Sequence, residues 1–138
     1  MHKYEIIPHT ADLRFLIQGD SLEELFRAGL ESMVEYIAPG FCQRESHTAI
    51  EKQIKIYSAD STELLIDFLS EVLTLMHTKR AVFCRVDFLK LGASHLEAKL
   101  KGFSNGQFKK DIKAVTYHEA EIKKNESGQF QTNLVFDI

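Results

Sequence analysis

Two segments of the chain repeat apolar residues at helical spacing, and each begins with an N-cap pattern. Ser21 precedes Glu24 by three residues, a capping box in which the hydroxyl and the glutamate each satisfy a backbone N–H. Asp60 precedes Glu63 in the same way. The apolar stripes are Leu22, Leu25, Phe26, Gly29, Leu30, Met33 and Ile37, then Leu64, Leu65, Phe68, Leu69, Val72, Leu73 and Met76. Both predicted helices are amphipathic, so each needs a sheet face to cover.

Strand patterns account for most of the remaining chain. Alternating or short apolar runs predict strands over 4–7, 13–17, 50–57, 82–91, 95–100, 112–122 and 130–136. Residues 102–106 are typical of a turn, and 123–128 of a polar hairpin loop. Short connections between consecutive strands favour antiparallel pairing. We therefore predict an α+β fold with two amphipathic helices packed on curved, mostly antiparallel sheet.

Length and charge limit the classes of protein to which the chain can belong. Its 138 residues, 44% of them hydrophobic, suit a single domain over 1–138. Seventeen basic residues against 20 acidic residues give a net charge of -3, which argues against nonspecific coating of nucleic acid. The sequence shows no h-region typical of a signal peptide and no apolar stretch long enough to span a bilayer. We expect a cytoplasmic protein without a membrane partner.

The two cysteines, Cys42 and Cys84, are far apart and lack CxxC spacing. This pattern indicates neither a zinc ribbon nor a disulfide scaffold. Free thiols in a reducing cytoplasm are therefore predicted.

The last residues form an apolar run that contains one carboxylate, Asp137, immediately before the terminal residue Ile138. Two anionic groups are then adjacent where the backbone is expected to be held in a strand. Uncompensated carboxylates in a partly desolvated place are costly, so the pair needs a cation, hydrogen bonds or a partner's positive charge. The alternative is a strand that closes the sheet with Asp137 pointing to water.

A short polar loop, His9-Thr10-Ala11-Asp12, lies between the first two predicted strands. Among the six histidines, only His9 falls in a run that also offers a hydroxyl and a carboxylate. Such a loop can present Asp12 outward from a rigid frame. Taken alone, the segment is simpler to interpret as an Asx or Ser/Thr turn, in which Thr10 or Asp12 bonds neighbouring amides.

Motifs of catalysis are missing from the sequence. It contains no glycine-rich phosphate loop, GxSxG elbow, HExxH pair or Cys/His cluster, which gives little support to an enzyme. In the predicted strand 112–122, one face carries Lys113 beside Tyr117. That lysine is either functional or a charge that protects an edge strand from aggregation.

Four segments together resemble the archease family: HTAD at 9–12, LLIDFLSEVL at 64–73, IKAVTYH at 112–118 and the ending FDI at 136–138. The resemblance implies an activator of the RtcB-type RNA ligase, which joins RNA ends during tRNA splicing and repair. It implies a protein that promotes guanylylation of the ligase histidine and repeated turnover without being the catalyst. RNA would be contacted only indirectly.

The same resemblance implies a divalent metal site, with calcium as the cation, at Asp12, Asp137 and Ile138. Hard cations favour such carboxylate and carbonyl oxygens. Lys113 corresponds to a functional position of the family that we expect to contact the ligase active site, and His9 and Thr10 are assigned to shaping the loop.

This chain departs from the family's usual pattern at three positions. Arg14 stands where a small residue or glycine is usual, Phe103 stands where glutamate commonly follows glycine, and Ser70 replaces a frequent asparagine. Asp12, Asp137 and Lys113 are unaffected by these departures.

Two other functions fit parts of the sequence. One is a stand-alone RNA-binding module; its basic surface would comprise Lys99, Lys101, Lys109, Lys110, Lys113, Lys123 and Lys124. No aromatic residues interleave with those lysines for base stacking, so a solvated face is the simpler interpretation. The other is a metal-dependent hydrolase built on Asp12, Asp137 and His9, which lacks a recognisable nucleophile or base.

Overall fold

Two helices and two antiparallel sheets make up the chain over residues 1–7, 12–43, 48–104 and 107–138, which the computed structural model describes. The elements in chain order are β1 (His2–Ile7), β2 (Leu13–Gly19), α1 (Leu22–Ile37), a 3₁₀ turn (Phe41–Gln43), β3 (Ala49–Tyr57), α2 (Ser61–Lys79), β4 (Ala81–Leu91), β5 (His95–Ser104), β6 (Ala114–Thr116), β7 (Lys123–Lys124) and β8 (Phe130–Asp137). The larger sheet has the order β1-β2-β8-β6, with β7 also paired to β8, and the smaller has the order β3-β5-β4. Each of these pairings is antiparallel, which confirms the predicted α+β class.

Both helices begin at the predicted N-caps. The Ser21 hydroxyl accepts from the Glu24 amide at 3.1 Å, and the Asp60 carboxylate accepts from the Glu63 amide at 2.9 Å. The Glu24 side chain, which the capping box predicts to return to the helix start, instead contacts the ring of His2 on β1. Neither helix in the described ranges is long and apolar enough to cross a membrane.

Aromatic side chains from both helices and both sheets meet in one core. Phe26 of α1, Phe68 of α2, Phe83 of β4 and Phe136 of β8 are fully buried. The rings of Phe26 and Phe68 lie 5.7 Å apart. Burial of each such side chain contributes about 1.5–3 kcal/mol, so the two helical stripes hold the two sheets together. In the larger sheet, β2 and β8 are the two central strands.

The predicted turn at 102–106 is wrong for its first residues, because β5 continues to Ser104. Gly102 lies inside this strand, opposite Phe83 of β4. A Cβ atom at Gly102 would overlap the carbonyl oxygen of Val82. The glycine therefore serves a close approach of two strand backbones, not a turn. Residues 105 and 106 lie outside the described ranges.

The long predicted strand at 112–122 is also wrong. Only Ala114–Thr116 pairs as β6, and a turn follows in which the Ala120 amide donates to the Tyr117 carbonyl at 3.1 Å. Glu119 within this turn has φ 59°, which ends the extended backbone. The alternating sequence thus continues past the point where the ladder stops. Lys123 and Lys124, predicted as loop, form β7 against β8.

The prediction of free thiols is wrong, because Cys42 and Cys84 form a disulfide. Cys42 lies in the 3₁₀ turn after α1 and Cys84 in β4, and their Cα atoms are 5.6 Å apart. That separation falls within the range that a disulfide spans. Sequence spacing could not indicate the pairing, since the fold brings together residues 42 positions apart.

Candidate functional site

Asp12 and Asp137 lie at the same end of the larger sheet because β2 and β8 are antiparallel neighbours. Leu13 at the start of β2 pairs with Phe136 near the end of β8. Asp12 immediately precedes Leu13, and Asp137 immediately follows Phe136, so both carboxylates lie at the end of this ladder. Like charges brought to one end of a sheet repel each other. This end of the sheet therefore concentrates negative charge.

Lys113 and Ile138 lie beside these carboxylates. The Lys113 amide donates to the Asp137 carbonyl at 2.7 Å, just before β6 begins to pair with β8. The Lys113 side chain is exposed, and Ile138 follows β8 with 42% of its surface exposed. The fold thus gathers Asp12, Asp137, Ile138 and Lys113 from segments that are distant in sequence. His9 and Thr10 lie outside the described residues.

Arg14 is a member of this cluster that the sequence marked only as a departure from the family pattern. Its Nε donates to Asp12 Oδ1 at 3.0 Å, and its Nη1 donates to the carboxylate of Glu119. The hydrogen bond to Asp12 is the main cause that raises the pKa of Arg14, so the guanidinium stays charged. The signal in the sequence is the i, i+2 spacing of Asp12 and Arg14, which places two side chains on one face of an extended chain. Glu119 gives no such signal, because the turn after β6 brings it to Arg14.

The proposed metal ligands offer only oxygen donors, two carboxylates and the terminal residue. Such a donor set fits a hard cation like Ca²⁺ or Mg²⁺ and does not fit a thiophilic metal. Across the described ranges, no group of three His, Cys, Asp or Glu side chains could hold a metal. The set proposed here contains two such side chains, so most coordination positions would fall to water or to a partner.

The lysines of the RNA-binding alternative are spread over several elements, and most have partners within the protein. Lys99 pairs with Glu51 at 3.7 Å, and Lys101 pairs with Asp87 at 2.9 Å. The others with a partner are Lys110 over the Tyr36 ring, Lys123 beside Glu121 and Lys124 over the Phe130 ring. These contacts favour the interpretation as a solvated face over a dedicated RNA surface.

Comparison with known proteins gives consistent matches over nearly the whole chain. The model of the Archease protein family (MTH1598/TM1083) matches residues 4–138. The chain is 31% identical over 144 residues to the protein archease of Methanosarcina mazei, covering 99% of this chain and 96% of that protein. It is also 31% identical over 147 residues to the protein archease of Pyrococcus furiosus, covering 100% of each.

Two solved structures share the fold. The solution structure of Protein 1598 from Methanobacterium thermoautotrophicum has a TM-score of 0.71 and 24% identity, over 98% of both chains. The crystal structure of an archease and possible chaperone from Thermotoga maritima has a TM-score of 0.66 and 23% identity, over 96% of this chain and 94% of that one. At these identities the likeness concerns the fold alone.

Proposed function

Because the chain belongs to the archease family, we propose that it is an activator of an RtcB-type RNA ligase. In this role it promotes guanylylation of the ligase histidine and lets the ligase turn over repeatedly, as RNA ends are joined in tRNA splicing and repair. The protein acts through contact with the ligase and meets RNA only indirectly. It supplies no catalytic residue of its own.

The observation that carries this proposal is that Asp12 and Asp137 lie at the same end of the β2–β8 ladder. Arg14 pairs with Asp12 and offsets one of these two negative charges, so a further countercharge is favourable. Asp12, Asp137 and Ile138 would hold a divalent cation, calcium in our proposal. When bound, the cation would neutralise these carboxylates and leave positions for oxygen atoms of water or of the ligase.

Lys113 is the proposed contact with the ligase active site. Its amide is tied to the Asp137 carbonyl, whereas its side chain is exposed. The backbone of Lys113 is therefore held at the same end of the sheet as the proposed metal ligands, and its side chain is accessible to a partner. A lysine there can bind a phosphate group of the guanylylation reaction as a point charge.

The test is ligase guanylylation with labelled GTP at substoichiometric amounts of this protein. Asp12→Asn and Asp137→Asn each remove one charge from the proposed site. Glu126→Gln removes the same charge from the turn before β8, at the opposite end of that strand. We expect both aspartate variants to lose most of the stimulation and Glu126→Gln to keep it.

Each alternative result has its own meaning. Undiminished stimulation by both aspartate variants would remove the metal site from the mechanism while leaving the activator role. Absence of stimulation by the unaltered protein would reject the activator role. Lys113→Met, compared with Lys3→Met on β1, tests the ligase contact, and equal stimulation by these two variants would contradict it.

A further inference from the structure

Arg14 lies between two carboxylates at the end of the sheet where the metal site is proposed. Its guanidinium donates through Nε to Asp12 and through Nη1 to Glu119. The Arg14 side chain is 20% exposed and that of Asp12 is 22% exposed. At this degree of burial, water screens the interaction less than it screens an ion pair on the open surface.

The contact with Asp12 occupies one of the two carboxylate oxygens that could bind a cation. Arg14 Nε is 3.0 Å from Asp12 Oδ1. A divalent cation on the same carboxylate would lie within a few ångströms of the guanidinium, and the two positive charges would repel each other. Arg14 and the cation therefore compete for Asp12.

Glu119 gives Arg14 a second place to bind. It lies in the turn after β6, where its carboxylate accepts from Arg14. A guanidinium that releases Asp12 can keep its bond to Glu119, so that the cost of leaving is reduced. His118 is a second basic side chain recorded near Glu119, with Nε2 3.9 Å from its carboxylate.

The charges of the cluster fit this exchange. The side chains of Asp12, Asp137 and Glu119 carry three negative charges, and those of Arg14 and Lys113 carry two positive charges, of which only Arg14 is hydrogen-bonded to Asp12. If the side chain at position 14 were neutral, one more negative charge of the cluster would be available to attract a cation. Arg14 therefore weakens cation binding. Glu119 reduces this effect, because it binds the guanidinium when the guanidinium leaves Asp12.

We infer that Arg14 is a resident countercharge that sets the affinity of Asp12 for a divalent cation, with Glu119 holding the guanidinium when the cation occupies the site. This inference rests on the proposed metal site. It adds to that site a regulating pair of residues, Arg14 and Glu119. In their presence Asp12 stays neutralised until the cation concentration is high enough to displace the guanidinium.

The test is a titration of the protein with Ca²⁺ alone, measured by isothermal titration calorimetry at fixed ionic strength. We expect Arg14→Gln to bind Ca²⁺ roughly tenfold more tightly than the unaltered protein, on the scale of the repulsion between neighbouring cations. Arg85→Gln is the matched control, because Arg85 is an exposed arginine on β4 that pairs with Asp87. We expect its affinity to stay within about twofold of the unaltered protein.

A second pair of variants separates charge from folding. Arg14→Lys keeps the positive charge, so its Ca²⁺ affinity should stay close to that of the unaltered protein. Glu119→Gln should weaken binding several-fold when Arg14 is present and clearly less in the Arg14→Gln background. Thermal unfolding of each variant without Ca²⁺ shows whether it is folded.

The outcomes distinguish this inference from the proposed site itself. Equal or weaker Ca²⁺ binding by Arg14→Gln, together with binding that Asp12→Asn abolishes, would overturn the role of Arg14 and keep the metal site. Binding by Arg14→Gln but not by the unaltered protein would support the inference. Absence of Ca²⁺ binding in both would reject the site and the inference together.

Discussion

Tyr117 donates its hydroxyl hydrogen to the carboxylate of Asp67 and so joins the segment after β6 to α2. The hydroxyl of Ser58 donates to the same carboxylate at 2.6 Å from the end of β3. Asp67 therefore connects α2 to the end of β3 in the smaller sheet and to the segment after β6 in the larger sheet. The hydrogen bond to Asp67 is the main cause that raises the pKa of Tyr117 to about 12.

Tyr117→Phe should destabilise the protein modestly, since it removes this bond. Tyr117 is 58% exposed, so we expect a loss of roughly 0.5 kcal/mol, the lower end for a hydrogen bond. Tyr57→Phe, at a more exposed tyrosine without such a bond to Asp67, is the control. Urea denaturation at pH 7 measures the difference, and equal midpoints for the two variants would contradict it.

The raised pKa of Tyr117 also has a spectroscopic consequence. The neutral phenol is favoured in the folded protein, so its stabilising effect is complete below the ordinary pKa of 10.0 and is lost as pH rises through about 12. A titration of tyrosinate absorbance should therefore contain a component near pH 12 that disappears in Tyr117→Phe. Identical titration curves would show that Asp67 does not hold the phenol proton.

Gly102→Ala should be strongly destabilising because the added Cβ would overlap the backbone of β4 at Val82. Two paired strand backbones would have to separate, and overpacking of this kind costs about 1–3 kcal/mol or more. Gly92→Ala is the matched control, because its Cβ would lie 3.8 Å from the nearest carbonyl oxygen, that of His95. Chemical denaturation should show a large loss for Gly102→Ala only, and comparable values for both would contradict the close approach.

The helices could be predicted from the sequence because their signals are local. Ser21 and Asp60 cap them as predicted, and the apolar stripes at 3.6-residue spacing are the faces that the core buries. The end of β6 could not be predicted, since alternation of side chains continues into a turn at Glu119 that only tertiary pairing defines. The turn predicted at Gly102 is wrong for a related reason. The sequence alone does not distinguish a glycine in a turn from a glycine that allows two strand backbones to approach closely.

The candidate site could also be predicted only in part from the sequence. The sequence singled out Asp12 and Asp137 separately, and the antiparallel pairing of β2 with β8 is what brings them to the same end of the sheet. Glu119 could not be found, because its approach to Arg14 depends on the turn after β6. Residue types can be judged from a sequence, whereas the distances between them require the register of the sheet.

His2 should make stability depend on pH near neutrality. Partial burial lowers the pKa of His2, but hydrogen bonds to Glu24 and Glu31 of α1 raise it more, so the net pKa lies above 6.5. The charged ring ties β1 to α1, and this stabilisation is complete below pH 6.5 and is lost as pH rises through the folded-state pKa.

The free energy of unfolding of His2→Gln should accordingly fall below that of the unaltered protein at pH 6 and approach it at pH 9. Urea denaturation at the two pH values gives the comparison. A difference between His2→Gln and the unaltered protein that does not change with pH would mean that the ring contributes by packing and not by charge.

The disulfide between Cys42 and Cys84 should be a major part of the stability, because it links the turn after α1 to the smaller sheet across 42 residues. Closing a loop of that length reduces the entropy of the unfolded chain by an amount worth roughly 4 kcal/mol. Reduction should lower the denaturation midpoint accordingly, and Cys42→Ala combined with Cys84→Ala should be insensitive to the reductant. Thiol titration of the unreduced native protein should find no free thiols. Two free thiols and equal midpoints with and without reductant would contradict the bond and restore the prediction of reduced cysteines.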